Sequence, residues 1–407
     1  MTRLLTGLSL GYFLVMLDTT IVTVALPALS DDLAEQQWIS NGYTLTFAAF
    51  LLTAGAWSDR FGARRVFFTG LISFAALSLL SALSVSAPML ITLRVLLGIA
   101  AALLVPSSLS LISAAHPVPA SRAKAMGVWA ALSGTGLVAG PLLGGLLTEA
   151  FGWRAIFLVN VPVAALALVL SSAAPLTSPK PGRMDVLGQV SAVVALSTLT
   201  YVLVESNWWV LLPAAAAAAL FLASQRRPDA MLPPRLLSWG LLAGAIVNFG
   251  LSGVLFVLSL YFQETRGYSP SSTGLAFLPL TIPTAFNPIF TGRLVARIGP
   301  RIPAVSGFLL MSLGTVIQAF APALSVAALA LLGFGVSLAI PSLLTAVVGS
   351  APPDLVGMAG GALNASRQTG AVLGVAILGA LAHTSWALPV AAAVLLAGAA
   401  IGFVSTF

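Results

Sequence analysis

Two charged residues stand where a charge is expensive. Asp18 is the only full charge in the stretch Leu4 to Ala28, LLTGLSLGYFLVMLDTTIVTVALPA. Arg94 lies inside a second apolar run, at 89–113. Runs of this length can cross a bilayer as a helix, and a carboxylate held at that depth costs about 2.5–3.5 kcal/mol on insertion scales. No other carboxylate in the chain sits so far inside an apolar stretch. The chemistry open to it is the loading and release of a proton. The chemistry open to a buried arginine is to hold that carboxylate ionised or to respond when it takes a proton. It can equally snorkel to one face.

Other reactive groups are scarce. There is no cysteine, so disulfides and thiolate chemistry are excluded. His116 and His383 are the only histidines, too few for a histidine-rich metal site, and no metal is expected. A membrane-embedded enzyme would need clustered nucleophiles or ligands, and the sequence offers neither. Lys124 and Lys180 follow no glycine-rich phosphate loop, which argues against an ATP-driven pump within this chain. No cofactor is expected; a proton gradient is the energy source that Asp18 suggests.

The elements that must position Asp18 follow from composition. Of 407 residues, 59% are hydrophobic and 7% are charged, with a mean hydropathy of +1.04. Soluble domains carry about 25% charged residues, so this is a polytopic all-α membrane protein. The ten-residue alternating strands of a β-barrel are absent. Fourteen apolar runs lie at 4–28, 37–57, 66–86, 89–113, 125–148, 154–173, 185–204, 208–224, 238–262, 271–292, 302–321, 323–349, 356–382 and 386–406. The first exceeds a signal-peptide core and lacks a cleavage site, so it is expected to remain as a span. The net charge of +7 is explained by position rather than by nucleic acid, which is not expected as a partner. Arg3, Arg60, Arg64, Arg65, Arg122, Lys124, Lys180, Arg183, Arg226, Arg227, Arg235, Arg293, Arg297 and Arg301 all fall on one side of a fourteen-span count. That side is cytoplasmic by the positive-inside rule, and both termini are expected there. Asp31, Asp32, Glu35, Glu149, Glu205 and Glu264 fall outside.

The chain also repeats itself. Gly55-AWS-Asp59-Arg60-F-Gly62-AR returns as Gly292-RLV-Ala296-Arg297-I-Gly299-PR; Gly98-IAAALLV-Pro106-Ser107 returns as Gly333-FGVSLAI-Pro341-Ser342; Gly136-LVA-Gly140 returns as Gly370-AVL-Gly374. The pairs keep their order, so spans 1–6 and 9–14 are two related six-helix bundles of like orientation. Spans 7 and 8 are an inserted hairpin. The expected division is 1–173, 174–237 and 238–407. Parallel six-helix repeats with a site near the midplane are an architecture of secondary transporters.

Gly55-x-x-x-Asp59-Arg60-x-Gly62-x-Arg64-Arg65 resembles the signature loop of the major facilitator superfamily. Its glycines allow a tight turn, and Asp59 can cap a helix or pair with arginine. The resemblance makes it a cytoplasmic latch, with the Ala296 copy a degenerate partner. Leu17-Asp18-Thr19-Thr20-Ile21-Val22-Thr23-Val24-Ala25-Leu26-Pro27 resembles the first-span signature of the superfamily's fourteen-span drug:proton antiporters, which usually have asparagine where Thr23 stands. Arg94-x-x-x-Gly98 is similar to the family's fourth-span motif. Gly136-x-x-x-Gly140-Pro141-x-x-Gly144-Gly145 is similar to its antiporter motif, in which small residues let helices approach closely. Phe151-Gly152-Trp153-Arg154-x-Ile156-Phe157-x-x-Asn160-x-Pro162, Tyr261-Phe262-Gln263 and Asn364-x-x-Arg367-Gln368 resemble the same group.

The resemblance implies a monomeric transporter of a bacterial inner (plasma) membrane. Asp18 and Arg94 would couple protons to the export of a hydrophobic, aromatic or cationic small molecule by alternating access. Its partners would be lipid, substrate and protons. Cavity candidates are Tyr43, Phe47, Asn248, Phe256, Phe286, Asn287 and Arg367. The Asn364–Arg367–Gln368 face lines the cavity or makes helix contacts. Span 10, with Pro279, Pro283 and Pro288, is a candidate gate or binding segment. A dedicated exporter of an endogenous metabolite or lipid is the alternative, and a non-transporting sensor would have no need of Asp18.

Overall fold

The computed structural model describes residues 2–177, 185–227, 230–352 and 355–404; Lys180 and Arg183 lie outside them. Helices follow the apolar runs in order: α1 (Thr2–Leu29), α2 (Leu33–Phe61), α3 (Ala63–Ala82), α4 (Ala87–Ala115), α5 (Pro119–Phe151), α6 (Ala155–Leu158) and α7 (Asn160–Leu170). They continue as α8 (Val186–Glu205), α9 (Leu211–Ser224), α10 (Trp239–Leu260), α11 (Pro270–Ala276), α12 (Leu278–Ile298), α13 (Arg301–Phe320), α14 (Ser325–Ser350), α15 (Val356–Ala380) and α16 (Ala387–Val404).

Among the described residues, eight helices are long and apolar enough to cross a membrane, nine when α11 and α12 count as one bent span. The chain is therefore an integral membrane protein. The runs outside that measure fall on shorter apolar helices, at 155–170, 208–224 and 387–403, or on α2 and α15. α2 and α15 are long but carry Gln36, Gln37 and Asn41, and Asn364, Arg367 and Gln368.

The breaks have local causes. Pro162 lacks an N–H and crowds the carbonyl four residues back, at Leu158, where α6 ends. α11 and α12 meet at a 44° bend. That bend falls at Phe277, just before Pro279, which occupies the first turn of α12, where proline is tolerated. Pro283 and Pro288 sit inside α12 without breaking it. A π-turn, Tyr261–Thr265, closes α10.

Two compact units form. The first holds Met1–Gln189 and Ser269–Gly274; the second holds Val190–Tyr268 and Leu275–Phe407. The division thus falls inside α8, whereas the repeat placed it at 173/174 and 237/238. The start of α8 is tied to the first unit, where the Thr53 hydroxyl of α2 donates to Gln189 Oε1.

Within the first unit α1 packs on α5 and α7, α2 on α4, and α3 on α4 and α7. Within the second, α10 packs on α15 and α16, α12 on α14, and α13 on α14 and α16. These are the same pairings in corresponding helices. Gly62 (φ +90°) and Gly299 (φ +79°) make the same turn in the two copies of the loop motif, a backbone region that favours glycine.

Candidate functional site

α5 seats α1 through its glycines. A side chain at Gly136 would lie 2.5 Å from the Phe13 carbonyl oxygen, and one at Gly140 or Gly144 would run into Thr20 or Ile21. Gly145 and Gly274 meet a different element: Gly145 abuts Pro270, and Gly274 abuts Pro141. Thr20 Oγ1 donates across the α1–α5 seam to Leu137 O at 3.1 Å. Only small residues allow backbones this close. The antiporter-like motif therefore fixes the turn of α1 that carries Asp18.

Asp18 is fully buried, and Arg94 is 1% exposed. The two form an ion pair, Arg94 Nη1 donating to Asp18 Oδ2. The guanidinium does not snorkel. Its Nε donates to Ile39 O at 3.0 Å, and its carbon lies 4.4 Å from the centre of the Tyr43 ring, a cation–π distance. The Tyr43 hydroxyl donates to Val15 O at 3.0 Å, and Phe47 stacks 6.0 Å from Tyr43. Gly98 rests against the Tyr43 carbonyl and Thr46, and Thr46 Oγ1 donates to Val95 O at 2.7 Å. The Arg94-x-x-x-Gly98 pair thus holds α4 on α2 with its arginine aimed at α1. Tyr43 and Phe47 belong to the packed surroundings of this pair.

The sequence did not single out the third partner. Asn160, at the start of α7, donates from Nδ2 to Asp18 Oδ1 at 2.9 Å and to Ser78 Oγ at 3.3 Å. Its signal was present in the motif running from Phe151 to Pro162, but a neutral amide in an apolar run carries no charge to mark it.

The loop motif behaves differently. Gly62 makes its turn, whereas Gly55 sits inside α2 at ordinary contact distance from Pro106. Asp59 is exposed and does not cap α3. The Ala63 N–H donates instead to Thr177 Oγ1 at 2.7 Å. A threonine at that point satisfies the first orphan donor of the helix before an aspartate one turn back can reach it. Arg64 donates to Ser172 O at 3.1 Å and lies 5.6 Å from the Phe68 ring. Arg60 lies 5.8 Å from the Phe61 ring.

In the second unit, Arg367 Nε donates to Asn248 Oδ1 and its Nη1 donates to Asn364 Oδ1, both at 3.2 Å. The face of α15 that carries Asn364 and Arg367 therefore makes a helix contact with α10. Asn287 Nδ2 donates to Ser337 Oγ at 2.7 Å, tying α12 to α14. Phe256 is fully buried, and Phe286 is 67% exposed. Glu149 is exposed and accepts the Ser271 N–H at 3.0 Å. Among the described residues no three His, Asp or Glu side chains gather as a metal site requires.

The arrangement amounts to a carboxylate sealed from solvent, neutralised by one arginine and seated by glycines. A POT family transporter in complex with a thioalcohol-conjugated peptide shares the fold, with a TM-score of 0.77 at 13% identity over 98% of this chain and 95% of that one. The methylenomycin A resistance protein of Bacillus subtilis is 36% identical over 97% of this chain and 90% of its own. The multidrug resistance protein Stp of Mycobacterium tuberculosis is 35% identical over 93% and 76%. The tetracenomycin C resistance and export protein of Streptomyces glaucescens is 35% identical over 93% and 75%. Residues 8–375 match the profile of the Major Facilitator Superfamily, and the chain belongs to that family.

Proposed function

We propose that this protein is a proton-coupled antiporter that exports hydrophobic or cationic small molecules by alternating access. The observation that carries the reading is the buried Asp18–Arg94 pair, held against the glycine face of α5. A sealed ion pair is costly relative to an apolar core, and a site that loads and releases a proton gives that cost a purpose. The relative named for multidrug resistance supports the substrate class.

In this reading Asp18 takes a proton when the site opens outward, Arg94 loses its counter-charge, and inward opening returns the proton. Substrate and proton compete, which makes the exchange an antiport. The chain crosses a bacterial plasma membrane fourteen times with both termini cytoplasmic. Spans 7 and 8 are an insertion between bundles 1–173 and 238–407. The protein works as a monomer without cofactor or metal, among lipid, substrate and protons. The loop Gly55–Arg65 latches the cytoplasmic side through Asp59. Asn248, Phe256, Phe286, Asn287 and Arg367 contribute to substrate contacts.

The second reading is a dedicated exporter of one metabolite or lipid. It is favoured by relatives named for a single compound, methylenomycin A or tetracenomycin C. Efflux of a panel of lipophilic cations and neutral aromatic compounds from proteoliposomes, with and without an imposed pH gradient, separates the readings. The antiporter moves several classes uphill only with the gradient, and the dedicated exporter moves one. Uphill transport independent of the gradient overturns the coupling.

A further inference from the structure

Asp18 has two hydrogen-bonding sides, and its two side-chain partners are chemically unlike. Arg94, on Oδ2, can only donate, so it serves the ionised carboxylate alone. Asn160, on Oδ1, carries a donor and an acceptor on one terminal group. Its Nδ2 is engaged by Asp18 and Ser78, and its Oδ1 is buried with no partner among the described residues. Asp18, Asn160 and Ser78 are each 0% exposed. A buried amide oxygen left without a donor carries a desolvation cost.

The helix break explains how the amide reaches Asp18. Pro162 ends α6 at Leu158, and Asn160 opens α7 facing α1 and α3. The internal repeat supplies an independent observation. Gly136 meets the Phe13 carbonyl and Gly370 meets the Ala245 carbonyl, so the α1–α5 register places Gly250 of α10 where α1 has Asp18. The side chain packed over Gly250 is Leu395 of α16. The copy without the carboxylate has a leucine where the copy with it has the amide.

We propose that Asn160 is a positioning residue that serves both protonation states of Asp18. The inference rests on the proton-coupling reading of Asp18. With Asp18 ionised, the amide donates from Nδ2 to Oδ1, as in the structure. When a hydronium ion gives its proton to Oδ1 and leaves as water, that oxygen becomes a donor. Half a turn of the Asn160 amide then presents its own Oδ1 to accept the new O–H, and the Ser78 hydroxyl turns from accepting to donating. No covalent bond breaks within the protein; one O–H bond forms on Asp18, and the positive charge is carried by Arg94. Beside the pair, the other titratable groups are Tyr43 of α2, under Arg94, and Tyr12 on α1 itself, stacked 4.3 Å from Trp129 of α5. The remaining charges on the packed helices stand in their end turns: Arg3 on α1, Glu35, Asp59 and Arg60 on α2, Arg64 and Arg65 on α3, and Arg122, Lys124 and Glu149 on α5. α5 meets α1 with Gly136, Gly140 and Gly144, and α7 brings the amide.

The test needs no knowledge of the transported compound, because the probe is the proton. Full-length protein in lipid vesicles is titrated while infrared difference spectroscopy follows the carbonyl stretch of protonated carboxylic acid. The parent, Asp18→Asn, Asn160→Leu, Asn160→Ala and Asn160→Gln are compared. A band lost in Asp18→Asn identifies the coupling acid. In Asn160→Leu and Asn160→Ala its midpoint is expected to rise by about one pH unit, tenfold in proton affinity, because a hydrogen bond to a carboxylate is stronger than one to the neutral acid. The band should also move to higher frequency as the acid loses its acceptor. Asn160→Gln, which keeps an amide, should recover most of both changes. An unchanged midpoint and frequency in both truncations, with the band still absent in Asp18→Asn, overturns the role of Asn160 and leaves the coupling reading standing. A titrating band that survives Asp18→Asn overturns the coupling reading and this inference with it.

Discussion

The two repeats use one backbone plan for unlike interiors. α1 on α5 and α10 on α15 are both glycine-seated crossings: Gly136 and Gly140 abut Phe13 and Thr20 in one, and Gly370 and Gly374 abut Ala245 and Phe249 in the other. The frame matches, but the contents do not. Asp18, Arg94 and Asn160 of the first unit correspond to Gly250, Leu329 and Leu395 of the second, where both leucines are at most 1% exposed. The second unit places its deep polar group elsewhere: Arg367 of α15 reaches Asn248 of α10. Both copies keep the close approaches that let helices cross, and the buried carboxylate–arginine pair stands in the first. Helix packing is thus separable from the buried ion pair in this fold, and each can be broken alone.

The largest effect should come from unpairing the first unit. Arg94→Leu leaves Asp18 buried without its cation and should cost about 3–5 kcal/mol, because an uncompensated buried charge is heavily penalised. The matching substitution Leu329→Ala in the second unit removes only packing, about 2–5 kcal/mol. The two are told apart by their second-site partners. Adding Asp18→Asn should restore much of the stability lost in Arg94→Leu and none lost in Leu329→Ala. Unfolding midpoints of purified protein in detergent measure this, and equal rescue would erase the chemical distinction between the units. Asp18→Asn alone, a mimic of the proton-loaded form, should abolish uphill transport while downhill exchange of a neutral compound continues in proteoliposomes.

A smaller effect should follow from importing the first unit's chemistry into the second. Leu395→Asn places an amide over Gly250, where no carboxylate waits for it. It should destabilise by about 1–3 kcal/mol, the penalty of an unsatisfied buried polar group, and leave proton uptake unchanged. Calorimetry together with the infrared titration checks both halves. A new titrating group in that variant would mean that the second unit still holds a proton site.

What the sequence made legible follows from the same physics. Charge at membrane depth is so costly that Asp18 and Arg94 stood out singly, and their pairing required no more than their being the deep charges of one bundle. Glycine spacing revealed the repeat because close backbone contact admits little else. Asn160 was not legible, since an amide is cheap enough to occur anywhere and its role depends on a helix break at Leu158. Nor was Thr177, which lies 114 residues from the helix end it caps. No local pattern links a proline- and serine-rich linker to the start of α3.

That cap gives the smallest predicted effects, and it separates structure from function within the loop motif. The Ala63 N–H is an orphan donor at the start of α3, and Thr177 Oγ1 satisfies it at 2.7 Å. Thr177→Ala should therefore cost about 1 kcal/mol, the usual worth of an N-cap. Asp59 is exposed and makes no cap, so Asp59→Asn should change stability by no more than about 0.5 kcal/mol, as for other surface substitutions. If Asp59 serves only as a latch between states, its loss should lower transport while leaving both the unfolding midpoint and substrate binding intact. Ala296→Asp, in the other copy of the loop, should do neither. Unfolding curves and transport rates for the three variants decide the matter. A stability loss in Asp59→Asn as large as that in Thr177→Ala would make the aspartate part of the cap after all. Unchanged transport in Asp59→Asn would remove the latch from the first repeat, and the loop would then be a turn built on Gly62 in one copy and Gly299 in the other.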